Sequence, residues 1–503
     1  MATVLRNALL GAASSAASLA ATLVSTVFVA RLLGPSDSGV VALVLWLVTL
    51  AASLADRGIP QIILRYAVLQ APTPGAEVGL TRAMLGPYLR SVLLVGLLSA
   101  GLAFVSSRWT GLSAATIGVA VCLFAVYALS ALSIAAARSQ DRFDQIAWLS
   151  VIGGLGQVVL VPVGAIVAGP VGALAGFAVR YLPQALVLPA YLERGDAAPS
   201  PGMQAYARNL WLSDLIEIVF LTRVEFLFIG YWLGEASIGF FAAGLAIASP
   251  IEQIVLQIAP ALLLGFVAAG RAATSERLTA AYSNAFRFVA LAILPVCVGG
   301  AAILPAVLPL AFGELFRPAI GPSIIIMLAV VPSVLSVVPW SLLAATERAR
   351  PLLAVQIVLA IGTTVILAFA VPYLGLWGAA AARLTLSIAT LLLLVVCVQR
   401  LIGIGLPLGS LARAALASLL CAVAAAIPVA VLPPATALFF AVPLGAAAYL
   451  IALRCLRVIS LEEASSMAKF AERRVPAPLV PAARNLVLAM APRSSRHSLQ
   501  DSV

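Results

Sequence analysis

Apolar runs of about 20 residues, each closed by a short polar break, recur from one end of the chain to the other. That is the length a helix needs to cross the hydrocarbon core of a bilayer. A lipid-exposed segment must satisfy its own backbone groups, so the runs read as helices; the period-two alternation of a membrane β-barrel is absent. Spans are expected at 7–30, 39–57, 86–106, 112–137, 146–168, 171–191, 209–230, 237–266, 286–311, 320–345, 351–372, 375–398, 411–432 and 435–456. The chain is therefore an all-α polytopic membrane protein of about fourteen helices. The first run is too long for a signal-peptide core and is read as a retained helix.

One span breaks the apolar pattern. From Trp211 to Gly239 the chain carries Asp214, Glu217, Arg223 and Glu225 inside a hydrophobic stretch. As one continuous helix to Gly230, this stretch would place Asp214, Glu217 and Glu225 on one face along roughly 16 Å of axis. Intramembrane charges each cost roughly 2.5 to 3.5 kcal/mol on insertion scales, so they usually face a protein interior or a wet cavity.

Composition agrees with the pattern: 63% of the 503 residues are hydrophobic and 10% charged. Orientation follows from the arginines. With the N-terminus inside, the inner loops and tails collect Arg57, Arg65, Arg82, Arg138, Arg142, Arg208, Arg277, Arg348, Arg400 and others, while the outer loops keep Arg31, Arg108 and Arg317. Both termini are expected in the cytoplasm, and the net charge of +11 is assigned to loops facing anionic membrane lipids, with no nucleic-acid partner. The five cysteines all fall within or at the ends of spans without metal-ligand spacing, so they read as small buried hydrophobes.

The chain also repeats itself. Arg31-Leu-Leu-Gly34 to Gly39 has an echo 200 residues on, in Tyr231-Trp-Leu-Gly234 to Gly239. Ala137 to Arg142 matches Leu343 to Arg348, and Gly169-Pro-Val-Gly172 matches Gly375-Leu-Trp-Gly378, both 206 residues apart. Near-constant offsets imply two six-helix bundles. Six is even, so both would enter the membrane in the same direction, as parallel repeats with a substrate path between them. The expected division is 1–192 for the N-terminal lobe, 193–208 for a cytoplasmic linker, 209–401 for the C-terminal lobe, 402–458 for two extra helices, and 459–503 for a cytoplasmic tail.

The phrases Val29-Ala-Arg31-Leu-Leu-Gly34, Phe228-Ile-Gly230-Tyr-Trp-Leu-Gly234, Phe312-Gly-Glu-Leu-Phe-Arg-Pro-Ala319 and Tyr373-Leu-Gly-Leu-Trp-Gly378 resemble the polysaccharide flippase family. That family belongs to the multidrug, oligosaccharidyl-lipid and polysaccharide exporter superfamily. The likeness runs from about Asn7 to Cys455. It implies a flippase that moves a polyprenyl-diphosphate-linked oligosaccharide to the outer leaflet of a bacterial cytoplasmic membrane by alternating access. A polysaccharide polymerase and glycosyltransferases are the partners so implied. Arg31 matches the arginine that often precedes the Leu-Gly turn; Glu225 stands where members commonly carry aspartate.

A lipid diphosphate needs cations at membrane depth, and arginine offers a planar fork that keeps its proton. Arg180, Arg223 and Arg383 lie well inside spans and are the candidate head-group cradle, with Arg180 and Arg383 at similar positions in the two repeats. Each could instead neutralise a buried carboxylate or reach toward an interface. Glu217, Glu225, Glu252 and Asp56 are the candidates for ion coupling, because a low-dielectric cavity raises a carboxylate's proton affinity; a charge network with Arg223 is the competing role. Prolines 250, 260, 332 and 339 are candidate bending points. In the tail, Ser460 to Arg474 and Leu479 to Ala491 can form amphipathic helices.

No cofactor is called for: there is no phosphate-binding glycine loop with lysine and no His-Glu helix pair. The competing readings are a drug antiporter of the same fold and a membrane enzyme acting on lipid-linked sugars. The latter would need a long outer loop carrying catalytic groups.

Overall fold

The computed structural model describes residues 2–70, 79–110, 113–192, 200–271, 275–346 and 348–456. The two expected tail helices lie outside the described residues. Among those described, every element is helical: α1 (Ala2–Asp56), α2 (Ile59–Gln70), α3 (Leu80–Thr110), α4 (Ala114–Ser139), α5 (Phe143–Val179), α6 (Leu182–Val187), α7 (Pro201–Ile216) and α8 (Glu225–Leu233), followed by α9 (Glu235–Leu256), α10 (Ala259–Arg271), α11 (Ser275–Phe312), α12 (Ile320–Ala345), α13 (Ala349–Ile402), α14 (Leu408–Val431) and α15 (Pro434–Cys455). Short single turns link some of them.

Among the described residues, ten stretches are long and apolar enough to cross a membrane. Three of these are two helices joined at a glycine: α1 turns at Gly34, α5 at Gly169 and α13 at Gly375. Each glycine has positive φ, which side-chain-bearing residues rarely adopt. In α1 and α5 a proline follows directly, its fixed φ suited to the first position of the next helix. Counted as pairs, these stretches give 13 spans among the described residues, roughly the expected number of about 14; α7 and α8, over the expected span 209–230, are not among them.

The sequence echoes reappear in the backbone. Gly34 (φ 77°, ψ −176°) and Gly234 (φ 82°, ψ 177°) share one conformation, as do Gly169 (φ 58°, ψ −138°) and Gly375 (φ 60°, ψ −139°). At the 206-residue offset, the Arg142 N–H donates to Ala137 O at 2.9 Å, and the Arg348 N–H to Leu343 O at 3.0 Å. Gly172 meets the backbone at Gly164 as Gly378 meets it at Ala370. The same register sets Arg180 opposite Leu386 and Arg383 opposite Phe177, so the two arginines are nearly one helical turn out of equivalence.

The chain packs as two compact units, Met1–Pro250 with Leu353–Ala382 and Ile251–Leu352 with Arg383–Val503. In the first, Ala55, Ile63, Leu80, Leu132 and Tyr191 are fully buried, and the buried Tyr88 hydroxyl donates to Ala128 O at 2.7 Å. In the second, α12 is the most enclosed span, burying Ile326, Val338, Leu342 and Leu343 completely. There α14 and α15 pack on α11, where the Tyr449 hydroxyl donates to Leu291 O at 2.7 Å. Leu93, Leu94, Leu97 and Leu98 on α3, and Val423, Ile427 and Val431 on α14, turn outward as a surface suited to lipid.

Among the flagged prolines, 250, 332 and 339 sit inside continuous helices. Only Pro260 accompanies a break. The α9 helix ends at Leu256 and α10 resumes at Ala259, because Pro260 has no N–H to donate to the Leu256 carbonyl and its ring crowds that group. The polar link expected over 193–208 becomes helical by Pro201, where the Ser200 hydroxyl accepts from the Met203 N–H at 3.3 Å.

Candidate functional site

The charged span is not one helix. Residues Glu217–Thr222 form a π-helical segment, Arg223 leaves helical geometry (φ −152°, ψ 29°), and α8 restarts at Glu225. The single carboxylate face expected of a continuous helix is lost: Glu217 is exposed, whereas Glu225 is buried at 4% exposure. The local sequence permits this change. Ile218, Val219, Thr222 and Val224 are β-branched and lower helix propensity, and the Thr222 hydroxyl donates to Glu217 O at 3.0 Å, five residues back. Glu225 then occupies the first turn of α8, where negative charge complements the helix dipole.

An aromatic file anchors the restart. Phe226 is fully buried and packs edge-on between Trp46 (6.4 Å) and Phe241 (6.3 Å), and the Arg223 guanidinium lies 5.8 Å from its ring centroid. On the same unit, Trp211 Nε1 donates to Ser53 O at 2.7 Å and pins α7 to the end of α1. Asp56 closes that end by accepting from the Gly58 N–H at 2.6 Å, while Arg57 and Gly58 take positive φ. Gly58 leaves room for the carbonyl of Ala207. The Asp56 carboxylate thus has a structural task in ending the helix.

Arg180 lies just beyond α5, held toward α1. Its Nη1 donates to Thr22 Oγ1 at 2.5 Å, and Thr22 in turn donates to Ser18 O at 2.8 Å. The guanidinium sits 5.3 Å from the Tyr181 ring, which meets Tyr127 edge-on at 4.8 Å. Behind it, Gln157 on α5 is fully buried and donates to Ala21 O at 3.5 Å. Arg31 is exposed, three residues before the Gly34 turn.

The second unit holds its own charged group. Glu252 of α9 accepts from the Ser333 hydroxyl of α12, and its other oxygen lies 4.0 Å from Arg383 Nη2 of α13. Three clusters therefore emerge: Arg223 with Glu225 and Phe226, Arg180 with Thr22 and two tyrosines, and Glu252 with Ser333 and Arg383. Sequence reasoning missed Thr22, Tyr127, Tyr181 and Ser333. Of these, Tyr181, adjacent to Arg180, carried the one usable signal.

Against known proteins, the sequence matches the family described as polysaccharide biosynthesis protein over residues 28–321. The chain belongs to this family. No curated protein matches it. Among solved structures, the lipid II flippase MurJ in an inward closed conformation aligns with a TM-score of 0.69 at 13% identity, covering 87% of this chain and 96% of that one. A multidrug resistance MATE family transporter of the MOP superfamily, inward-facing, aligns with a TM-score of 0.60 at 16% identity, covering 77% and 94%. MATE in complex with MaD5 aligns with a TM-score of 0.55 at 16% identity, covering 80% and 96%. At such identities the likeness shows a shared fold. The family member described here is thus a multi-pass membrane protein with the fold of these transporters.

Proposed function

We propose that the protein is a flippase that carries a polyprenyl-diphosphate-linked oligosaccharide from the cytoplasmic to the outer leaflet, for cell-surface polysaccharide synthesis. The family match over residues 28–321 carries this reading, since it ties a transporter fold to polysaccharide assembly. Supporting it, Arg180 and Arg223 in the first unit and Arg383 in the second offer guanidinium groups within helical bundles, the chemistry a lipid diphosphate needs. Glycosyltransferases would supply the substrate and a polymerase would consume it. Glu217, Glu225 and Glu252 are the proposed ion-coupling or charge-network residues, with Asp56 a fourth.

The test is a deletion strain assayed for leaflet distribution of lipid-linked oligosaccharide. Accumulation on the inner leaflet, reversed by the intact gene, is expected. The fold shared with a multidrug transporter keeps one second reading in view, a drug antiporter. Normal outer-leaflet delivery in the deletion strain, together with new drug sensitivity, would replace the flippase reading with that one. Collapsing the proton or sodium gradient during the same assay reports on coupling: unchanged flipping would remove that role from the four acids.

A further inference from the structure

Arg180 carries its charge without an ion pair: among the described residues no carboxylate pairs with its guanidinium. Its one hydrogen bond there goes to Thr22 Oγ1, and Thr22 commits its own hydrogen to Ser18 O. The rest of the guanidinium fork is left to other acceptors. The backbone beneath it is tightly packed, since a Cβ on Gly153 of α5 would lie 2.1 Å from the Arg180 carbonyl oxygen. A cation fixed at membrane depth without an anion is costly, which points to an anionic ligand.

The groups beside it are tyrosines with unmade hydrogen bonds. The Tyr181 ring lies 5.3 Å from the guanidinium, and Tyr127 of α4 meets Tyr181 edge-on at 4.8 Å. Other tyrosines of the chain have acceptors: Tyr88 donates to Ala128 O, Tyr191 to Gln145 Oε1 and Tyr449 to Leu291 O. Among the described residues the Tyr127 and Tyr181 hydroxyls have no such bond, although both side chains are half-buried. Tyr127 lies within electrostatic reach of Asp56 as well as of Arg180, so an anion entering the cluster is drawn to the arginine and kept from the acid.

We propose that Arg180, Tyr127 and Tyr181 form a glycosyl-phosphate subsite within the first unit, with Arg180 on the phosphate and the two tyrosines on the sugar it carries. The inference rests on the flippase reading given above and extends it from the diphosphate to the sugar attached there. A tyrosine hydroxyl both donates and accepts, which matches the mixed rim of a sugar ring, and its apolar ring body suits the sugar's C–H face. A bare polyprenyl diphosphate would satisfy the arginine and leave both hydroxyls unmade. The subsite therefore distinguishes the glycosylated lipid from the naked carrier. It has no counterpart in the second repeat: the 206-residue register sets Leu386, Ser387 and Ser333 opposite Arg180, Tyr181 and Tyr127.

The test uses the purified full-length chain in detergent. The probes are farnesyl diphosphate, bare or carrying glucose, galactose or N-acetylglucosamine, with farnesol as the uncharged control. In wild type at least one sugar-bearing probe should bind about tenfold tighter than the bare diphosphate, as two neutral hydrogen bonds supply. Tyr127→Phe and Tyr181→Phe keep the rings and should each cut that ratio about threefold. Arg180→Gln should weaken every diphosphate probe by about tenfold or more. If that variant fails to fold, Arg180→Lys, which keeps the charge and loses the planar fork, must still weaken them. No sugar ratio in wild type, a ratio unchanged in both phenylalanine variants, or a loss shared equally by bare and sugar-bearing probes overturns the subsite. Unaltered diphosphate binding by the folded Arg180 variant does so equally. A wild-type chain with no preference for the diphosphate over farnesol would sink the functional reading itself, an outcome distinct from loss of the sugar ratio alone.

Discussion

Gly39 and Gly239 lie backbone against backbone: a Cβ on Gly39 would overlap the carbonyl of Glu235, and one on Gly239 would overlap the carbonyl of Pro35. Both lie in the first unit, a few residues past the paired turns at Gly34 and Gly234, and Ser36 Oγ spans the same seam to Glu235 Oε2 at 3.5 Å. Gly39→Ala or Gly239→Ala forces backbone apart, and overpacking of this kind typically costs about 1 to 3 kcal/mol. Either variant should lower the melting temperature in detergent. Gly118→Ala, with open space around the position, should not.

Phe226 holds the start of α8 between Trp46 and Phe241. Its truncation removes a fully buried ring and the aromatic face beneath Arg223. Phe226→Ala should destabilise the protein by about 3 to 5 kcal/mol, and Phe226→Leu by less, as read by thermal melting of the purified protein. Trp46→Leu should behave in the same direction.

Arg180 depends on Thr22 for its aim. A hydrogen bond to a charged group contributes about 1.5 to 3 kcal/mol, so Thr22→Val should reduce flipping by tenfold or more if Arg180 contacts substrate. Thr22→Ser retains the acceptor and should restore most of the rate. Equal activity of the valine variant in a flipping assay would remove Arg180 from the substrate path.

The arginine distribution predicts a topology that fusions can check. A fluorescent-protein fusion after residue 456 should fluoresce and an alkaline phosphatase fusion there should be inactive, both reporting a cytoplasmic C-terminus. Fusions between residues 313 and 320, beside Arg317, should give the opposite result.

Much of the fold was legible because span length and glycine placement are set by local rules. Gly34, Gly169, Gly234 and Gly375 could be picked out in sequence as the matched turns of a repeat, and each adopts a positive-φ corner. The break between α7 and α8 was not legible. Periodicity assumes a constant 3.6 residues per turn, and nothing local to Glu217–Thr222 announces a wider π turn beyond a cluster of β-branched residues. The partners of Arg180 and Glu252 were likewise hidden: Thr22 lies 158 positions from Arg180 and Ser333 lies 81 from Glu252, so only packing brings them together.

The doubled corner geometry, 206 residues apart, bears on how the chain is made. On the expectation of two six-helix passages entering the bilayer in the same sense, the insertion machinery would meet one set of instructions twice, with matching reversal points at Gly169 and Gly375.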